Sequence, residues 1–331
     1  MSSTTRLLSR RLLLARALPR YIHTTPPAQA VALPITAHGP PPSAPIPAAS
    51  PLAEHRARHK VAAAATKPLR FWKEAHVVET ADGLAIHLDK RALKTPLKAP
   101  LLVPKSKRLL AAAIALEWSH LRSSADATKS HRIPLTQMTS RAIDMARAEA
   151  GGDFSTRQAT VKNLIRYLDT DTVLCWAPTT PEHMQDPGRP QLRDLQIGAA
   201  RPIMEYLSTR VWPGLEIRAV DGDQGLTGPG QPKETREALI AWLNGLDVWA
   251  LVGFERIVHA TKSFVIGARM VAEWRGTGDQ TWGVEKAAKA ASIEVSYQTS
   301  QWGEVEDTHD VEKEDVERQV GAGWLMIVEE P

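Results

Sequence analysis

Hydrophobic and polar positions change rhythm along the chain. From Phe71 to Thr80 they alternate and end β-branched; Asp82-Gly83 follows as a hairpin turn, and Leu84–Asp89 alternates again. A short apolar stretch, Leu101–Val103, reads as a further strand. This β unit of about 35 residues is too small to bury both of its faces, so a helix must cover one. Past Pro104 the period becomes helical. Pro104 and Ser106 are the expected start, and Leu109, Leu110, Ala113, Leu116, Glu117, Trp118 and Leu121 form the stripe. His131–Thr136 reads as extended, and Thr136–Ala150 as a helix that ends at Gly151-Gly152. Asp153 or Ser155 caps the next helix, which carries Val161, Leu164, Ile165 and Leu168. Helical patterns follow over 190–210, 233–245, 247–274, 282–302 and 310–320, with a short strand at Leu215–Val220 and Pro/Gly-rich loops at 178–190 and 221–232.

The expected fold class is therefore α+β. A small N-terminal antiparallel β/helix domain spans 67–151 and a mostly α-helical bundle domain spans 152–331. Within the second, Ala287, Ala291, Glu294, Gln298 and Gln301 recur at the spacing of one helical face, which Trp302 and Gly303 close before Glu304 and an acidic run. Small residues, amides, a tryptophan and carboxylates together have the composition of a contact surface. The alternative is a buried Trp302 beside solvated Glu294 and Glu304.

Charge changes the picture at the N-terminus. The chain carries 41 Lys/Arg and 37 Asp/Glu, net +4, but residues 1–66 hold eight of those bases and one of those acids. The rest, with 33 bases and 36 acids, is slightly acidic, so the basic balance is no argument for nucleic acid. Residues 1–22 are Arg-, Ser- and Leu-rich and free of acids, the pattern of a mitochondrial transit peptide, and 23–66 reads as a disordered Pro/Ala-rich linker. No apolar run reaches membrane-spanning length. The single cysteine, Cys175, rules out an internal disulfide and a multi-cysteine metal site.

Signatures of catalysis are missing. None of the eleven histidines sits in a metal-ligand spacing, and neither a nucleophile elbow nor a phosphate-binding glycine loop is present. Asp169 and Asp171, with the distant His309, are the remaining carboxylate and imidazole groups for a small-molecule or metal-dependent enzyme; two acids two residues apart more often serve as caps and ion-pair partners.

Several stretches resemble one known family: Arg70-Phe71-Trp72-Lys73, Leu88-Asp89-Lys90-Arg91-Ala92-Leu93-Lys94-Thr95-Pro96, Ala115-Leu116-Glu117-Trp118, Pro134-Leu135-Thr136, Ala142-Ile143-Asp144, Asp169-Thr170-Asp171-Thr172 and Gln301-Trp302-Gly303-Glu304. In order and spacing they are similar to the mitochondrial assembly chaperones that hold the α subunit of the F1 head of ATP synthase. The resemblance implies a matrix chaperone, not an enzyme, that binds the unassembled α subunit until the β subunit replaces it. It implies no cofactor, no metal, no nucleic acid, no stable membrane insertion and a monomer. A carboxylate near the C-terminal helix matters in that family; by motif position Glu294 and then Glu304 are the client-binding candidates, together with Gln298 and Trp302.

Overall fold

The computed structural model describes residues 70–186, 188–225, 229–275, 280–304 and 309–330, the side chains at 309 and 310 excepted; the expected transit peptide and linker lie outside them. Strand β1 (Ala75–Glu79) pairs antiparallel with β2 (Leu84–Leu88). Thr80 N donates to Gly83 O at 2.8 Å, and Gly83 takes φ +154°, where an added Cβ would sit 2.7 Å from Val103 O. Strand β2 also pairs with β3 (Arg91–Ala92) and β4 (Leu102–Val103), so it is the centre of the sheet. Its side chains are accordingly almost all buried, whereas edge strand β1 is largely exposed.

Helix α1 (Arg108–Ser119) covers the sheet. It starts later than Pro104 and Ser106 suggest, because Pro104–Lys107 closes as a turn through Lys107 N and Pro104 O. Its inward face is Leu110, Ala111, Ile114, Ala115 and Trp118, while Leu109 and Leu116, expected in the stripe, face outward. Nearly every residue from Leu109 to Ala115 is apolar, so periodicity alone does not choose between adjacent faces. His131–Thr136 is not extended: a 3-10 turn (Ser130–Arg132) leads into α2 (Pro134–Ala150), with Pro134 at the helix start, where its missing N–H costs nothing. Gly151 and Gly152 follow its end.

Helix α3 (Ser155–Leu164) runs into a 3-10 turn at Ile165–Asp169, and α4 (Leu192–Tyr206) into a π-type turn at Leu207–Val211. The expected strand at Leu215–Val220 is only β6 (Val220–Asp221), parallel to β5 (Cys175–Trp176). Helix α5 (Lys233–Gly245) has the expected bounds. The 247–274 pattern is two helices, α6 (Val248–Thr261) and α7 (Phe264–Arg275), separated where Lys262 adopts a left-handed φ of 53°. The 282–302 pattern likewise divides at Ser292 into α8 (Val284–Ala291) and α9 (Ile293–Trp302). Helix α10 (His309–Ile327) continues past Val320 and packs closely on α6. Gly253 and Gly323 bring those backbones together: a Cβ on Gly323 would lie 2.6 Å from Ile257 Cγ1 and 2.8 Å from Gly253 O. The described residues all belong to one compact unit, with Phe254, Phe264, Leu251 and Met326 deep in its core. The α+β expectation holds.

The stretches singled out in the sequence turn out to brace one another. Arg70 Nη1 donates to Ser119 O at 2.7 Å, and Trp72 Nε1 to Trp118 O at 3.3 Å. Asp89, at φ 53°, accepts from the backbone N–H groups of Lys73 and Glu74, which hold its carboxyl below the usual range. Glu117 caps α2 from outside, accepting from Leu135 N (2.8 Å), Thr136 N (3.0 Å) and Thr136 Oγ1 (2.6 Å). Trp118 Nε1 donates to the same Thr136 Oγ1, and Thr95 Oγ1 donates to Asp144 Oδ1 at 2.8 Å. These residue types are needed because two elements meet there, not because chemistry occurs there.

Candidate functional site

Asp169 and Asp171 are also taken up by the fold. Asp169 is ion-paired with Arg236. Asp171 is fully buried and accepts from Val173 N (2.9 Å) and Val265 N (3.0 Å), tying the segment after α3 to the first turn of α7. Burial pushes its carboxyl up to about 6 against those hydrogen bonds, which favour the charged form. Thr172 completes the clamp: its N–H donates to Lys262 O and its Oγ1 to Thr261 O. The His309 side chain lies outside the described residues, and among those residues no group of three His, Cys, Asp or Glu side chains is placed to hold a metal.

One stretch stands apart. Gln301 Oε1 accepts from Arg189 Nη1, but Trp302 is 79% exposed and Glu304 is exposed with no hydrogen-bond or ion-pair partner among the described residues. The buried Trp302 weighed as an alternative is therefore not found. Gly303, at φ 88°, turns the chain away after α9 and leaves the indole at the helix end in solvent.

The continuous face expected from Ala287 to Gln301 is interrupted at Ser292. Ala287 is core, and Ala291 is half-buried at the break. Tertiary structure makes a groove there instead, with a cavity of about 280 Å³. Glu294, Gln298 and Glu304 line it from one side, Glu312 and Lys313 of α10 from another, and Lys262 at the end of α6. Gln298 Nε2 donates to Glu294 Oε1 at 3.2 Å. None of the five charged groups has an ion-pair partner among the described residues, although they share one cavity. Side chains held near one another without pairing leave hydrogen-bonding capacity for another molecule. Trp302 does not line this cavity; it stands at the end of α9, one turn beyond Gln298. Sequence reasoning missed Lys262, Glu312 and Lys313. The left-handed backbone at Lys262 had no signal in the sequence, since that conformation is common for glycine and rare for lysine.

The family model described as ATP12 chaperone protein matches residues 69–208. Protein atp12, mitochondrial, of Schizosaccharomyces pombe is 32% identical over 257 residues, covering 78% of this chain and 81% of that protein. Protein ATP12, mitochondrial, of Saccharomyces cerevisiae is 32% identical over 267 residues, covering 76% and 81%. The crystal structure of Atp12 from Paracoccus denitrificans superposes with a TM-score of 0.58 at 23% identity, over 78% of this chain and 97% of that one, so it shares the fold. With a fold braced by the motif stretches, and relatives that match most of its length, this chain belongs to the ATP12 chaperone family.

Proposed function

We propose that this protein binds the unassembled α subunit of the F1 head and keeps it from aggregating, with the groove between α6, α9 and α10 and the neighbouring Trp302 as its contact surface. Membership of the ATP12 family makes it an assembly chaperone of the mitochondrial ATP synthase and not an enzyme. Its place is the mitochondrion, and the matrix fits F1 assembly.

The observation that carries the reading is the contrast among the motif stretches: the others are tied into the fold, while Trp302–Glu304 presents an exposed tryptophan and a carboxylate with no partner among the described residues. An exposed tryptophan is a typical anchor for binding energy. Glu294 and Glu304 suit a cationic or amide group of the client, and a wrong client would leave them desolvated and unpaired. An unassembled subunit exposes an apolar interface that aggregates unless covered.

The test is capture of the α subunit by purified variants. Glu294→Lys should weaken binding by about 2–5 kcal/mol if the pair becomes buried in the complex. Trp302→Ala should weaken it by about 2 kcal/mol or more. Both residues are exposed, so melting temperature should hardly change. Unchanged capture by both variants would reject this surface.

A further inference from the structure

Two cavities flank α6 on its other side and meet at His259. One, of about 340 Å³, is lined by Met138, Arg141, Glu255, Arg256 and His259; the other, of about 520 Å³, by Asn163, Arg166, Tyr167, Thr170 and His259. The Tyr167 and His259 rings, both lining the second, lie 5.7 Å apart between centroids. Within the first, Arg141 is neutralised by a two-armed bond to Glu255 (2.9 and 3.0 Å). Arg256 has no such partner: its Nε points to Met138 Sδ, and no carboxylate lies within ion-pair range of it among the described residues. Arg166 and Lys162, one helical turn apart, are exposed and likewise unpaired among the described residues. The acids nearby are already engaged: Asp169 by Arg236, Asp315 by Arg318, Glu255 by Arg141.

Unpaired cations concentrated here are not what the average composition supplies, since the chain beyond residue 66 has fewer bases than acids. Two cavities that share His259 and are lined by Arg256, Arg166, the amides of Gln137 and Asn163 and the Tyr167 ring fit carboxylates on an extended or helical peptide. They fit a polyphosphate chain less well, because nucleic-acid affinity rests on about six or more neutralised phosphates and the unpaired cations here are Arg256, Arg166 and Lys162. His259 lines both of these cavities while the next residues, Ala260, Thr261 and Lys262, line the groove described above, so the last turn of α6 separates the two surfaces.

We propose that the surface around His259, lined by Arg166 and Arg256 and flanked by the exposed Lys162 one turn before Arg166, is a second docking surface that takes an acidic segment of a protein partner. It does not depend on which subunit occupies the first groove.

The experiment uses the full chain and a fluorescent peptide of Glu-rich sequence, with the Gln-substituted peptide as control and a single-stranded RNA oligonucleotide as competitor. The Glu-rich peptide should bind, and the Gln peptide should bind at least about tenfold more weakly. The double variant Lys162→Glu/Arg166→Glu should lose about tenfold or more at low salt, and raising salt above about 0.1 M should erode wild-type binding. Glu294→Lys should leave peptide affinity unchanged, which separates this surface from the first groove. Where the double variant melts earlier than the wild type, Lys162→Gln/Arg166→Gln is read in its place. Peptide affinity unchanged in the charge variants, no binding at low salt, or RNA displacing the peptide at lower concentration than unlabelled peptide does would each overturn the proposal.

Discussion

Lys107 is the residue whose removal tests the packing most directly. Its side chain is 1% exposed, and Nζ donates to Met326 O (2.8 Å), Val328 O (2.9 Å) and Ile327 O (3.3 Å). The ammonium thus ends α10 by satisfying carbonyls that have no donor within the helix, and it fastens the C-terminus to the turn before α1. Lys107→Met keeps the stem and deletes the donor. Leaving those acceptors without a partner costs about 1–3 kcal/mol each, roughly 3–9 kcal/mol in all. Burial opposes this: it pushes the lysine down from 10.5 to about 8, so not burying the charge returns up to about 3 kcal/mol at neutral pH. The balance is a destabilisation centred near 3 kcal/mol, or a melting temperature lower by about 6–12 °C for a body of this size. The pH dependence has a definite sign. The folded pKa lies below the unfolded one, so between about pH 8 and 10.5 the unfolded chain binds more protons and this group's contribution to stability rises with pH. Below about pH 8 it is constant. Unfolding followed by circular dichroism, wild type minus variant, should show a gap that widens from pH 8 to 10. A gap flat across that range, or a melting temperature within about 2 °C of wild type at pH 7, would show that Lys107 does not hold α10 as described.

Gly323→Ala should force α6 and α10 apart, because the new methyl meets Ile257 and the Gly253 carbonyl; the expected loss is about 1–3 kcal/mol, and an unchanged denaturation midpoint would contradict the close approach. Glu117→Gln leaves one acceptor oxygen where two are used and sets an amide against a backbone N–H at the start of α2. It should cost about 1–3 kcal/mol in urea unfolding, and wild-type stability in that variant would mean the cap is dispensable.

The chain's own pattern determined a good deal. Alternation around Asp82-Gly83 specified the β1–β2 hairpin, because a period of two and a turn that tolerates glycine are local properties. Helical periodicity located α2, α3 and α5 closely, since each carries one clear buried stripe. The α+β class and the family resemblance were legible for the same reason: both rest on short-range order of residues.

What the sequence could not carry was the relation between distant segments. Leu109 and Leu116 satisfy a stripe as well as Ile114 and Ala115 do, and only the position of the sheet, β1 and β2 together, decides which face is covered. The breaks at Lys262 and Ser292 carry neither proline nor glycine to mark them; packing of α7 and α8 against the core imposes them, overriding propensities of under about 1 kcal/mol per residue. The Ser292 break divided the face read from Ala287 to Gln301, and tertiary contact then regrouped Glu294, Gln298 and Glu304 with Lys262 and with Glu312 and Lys313 of α10. A groove whose walls come from separate helices has no periodicity of its own. Its charges converge only when burial of the apolar faces fixes the helices, a balance summed over the whole core and not written in any single stretch.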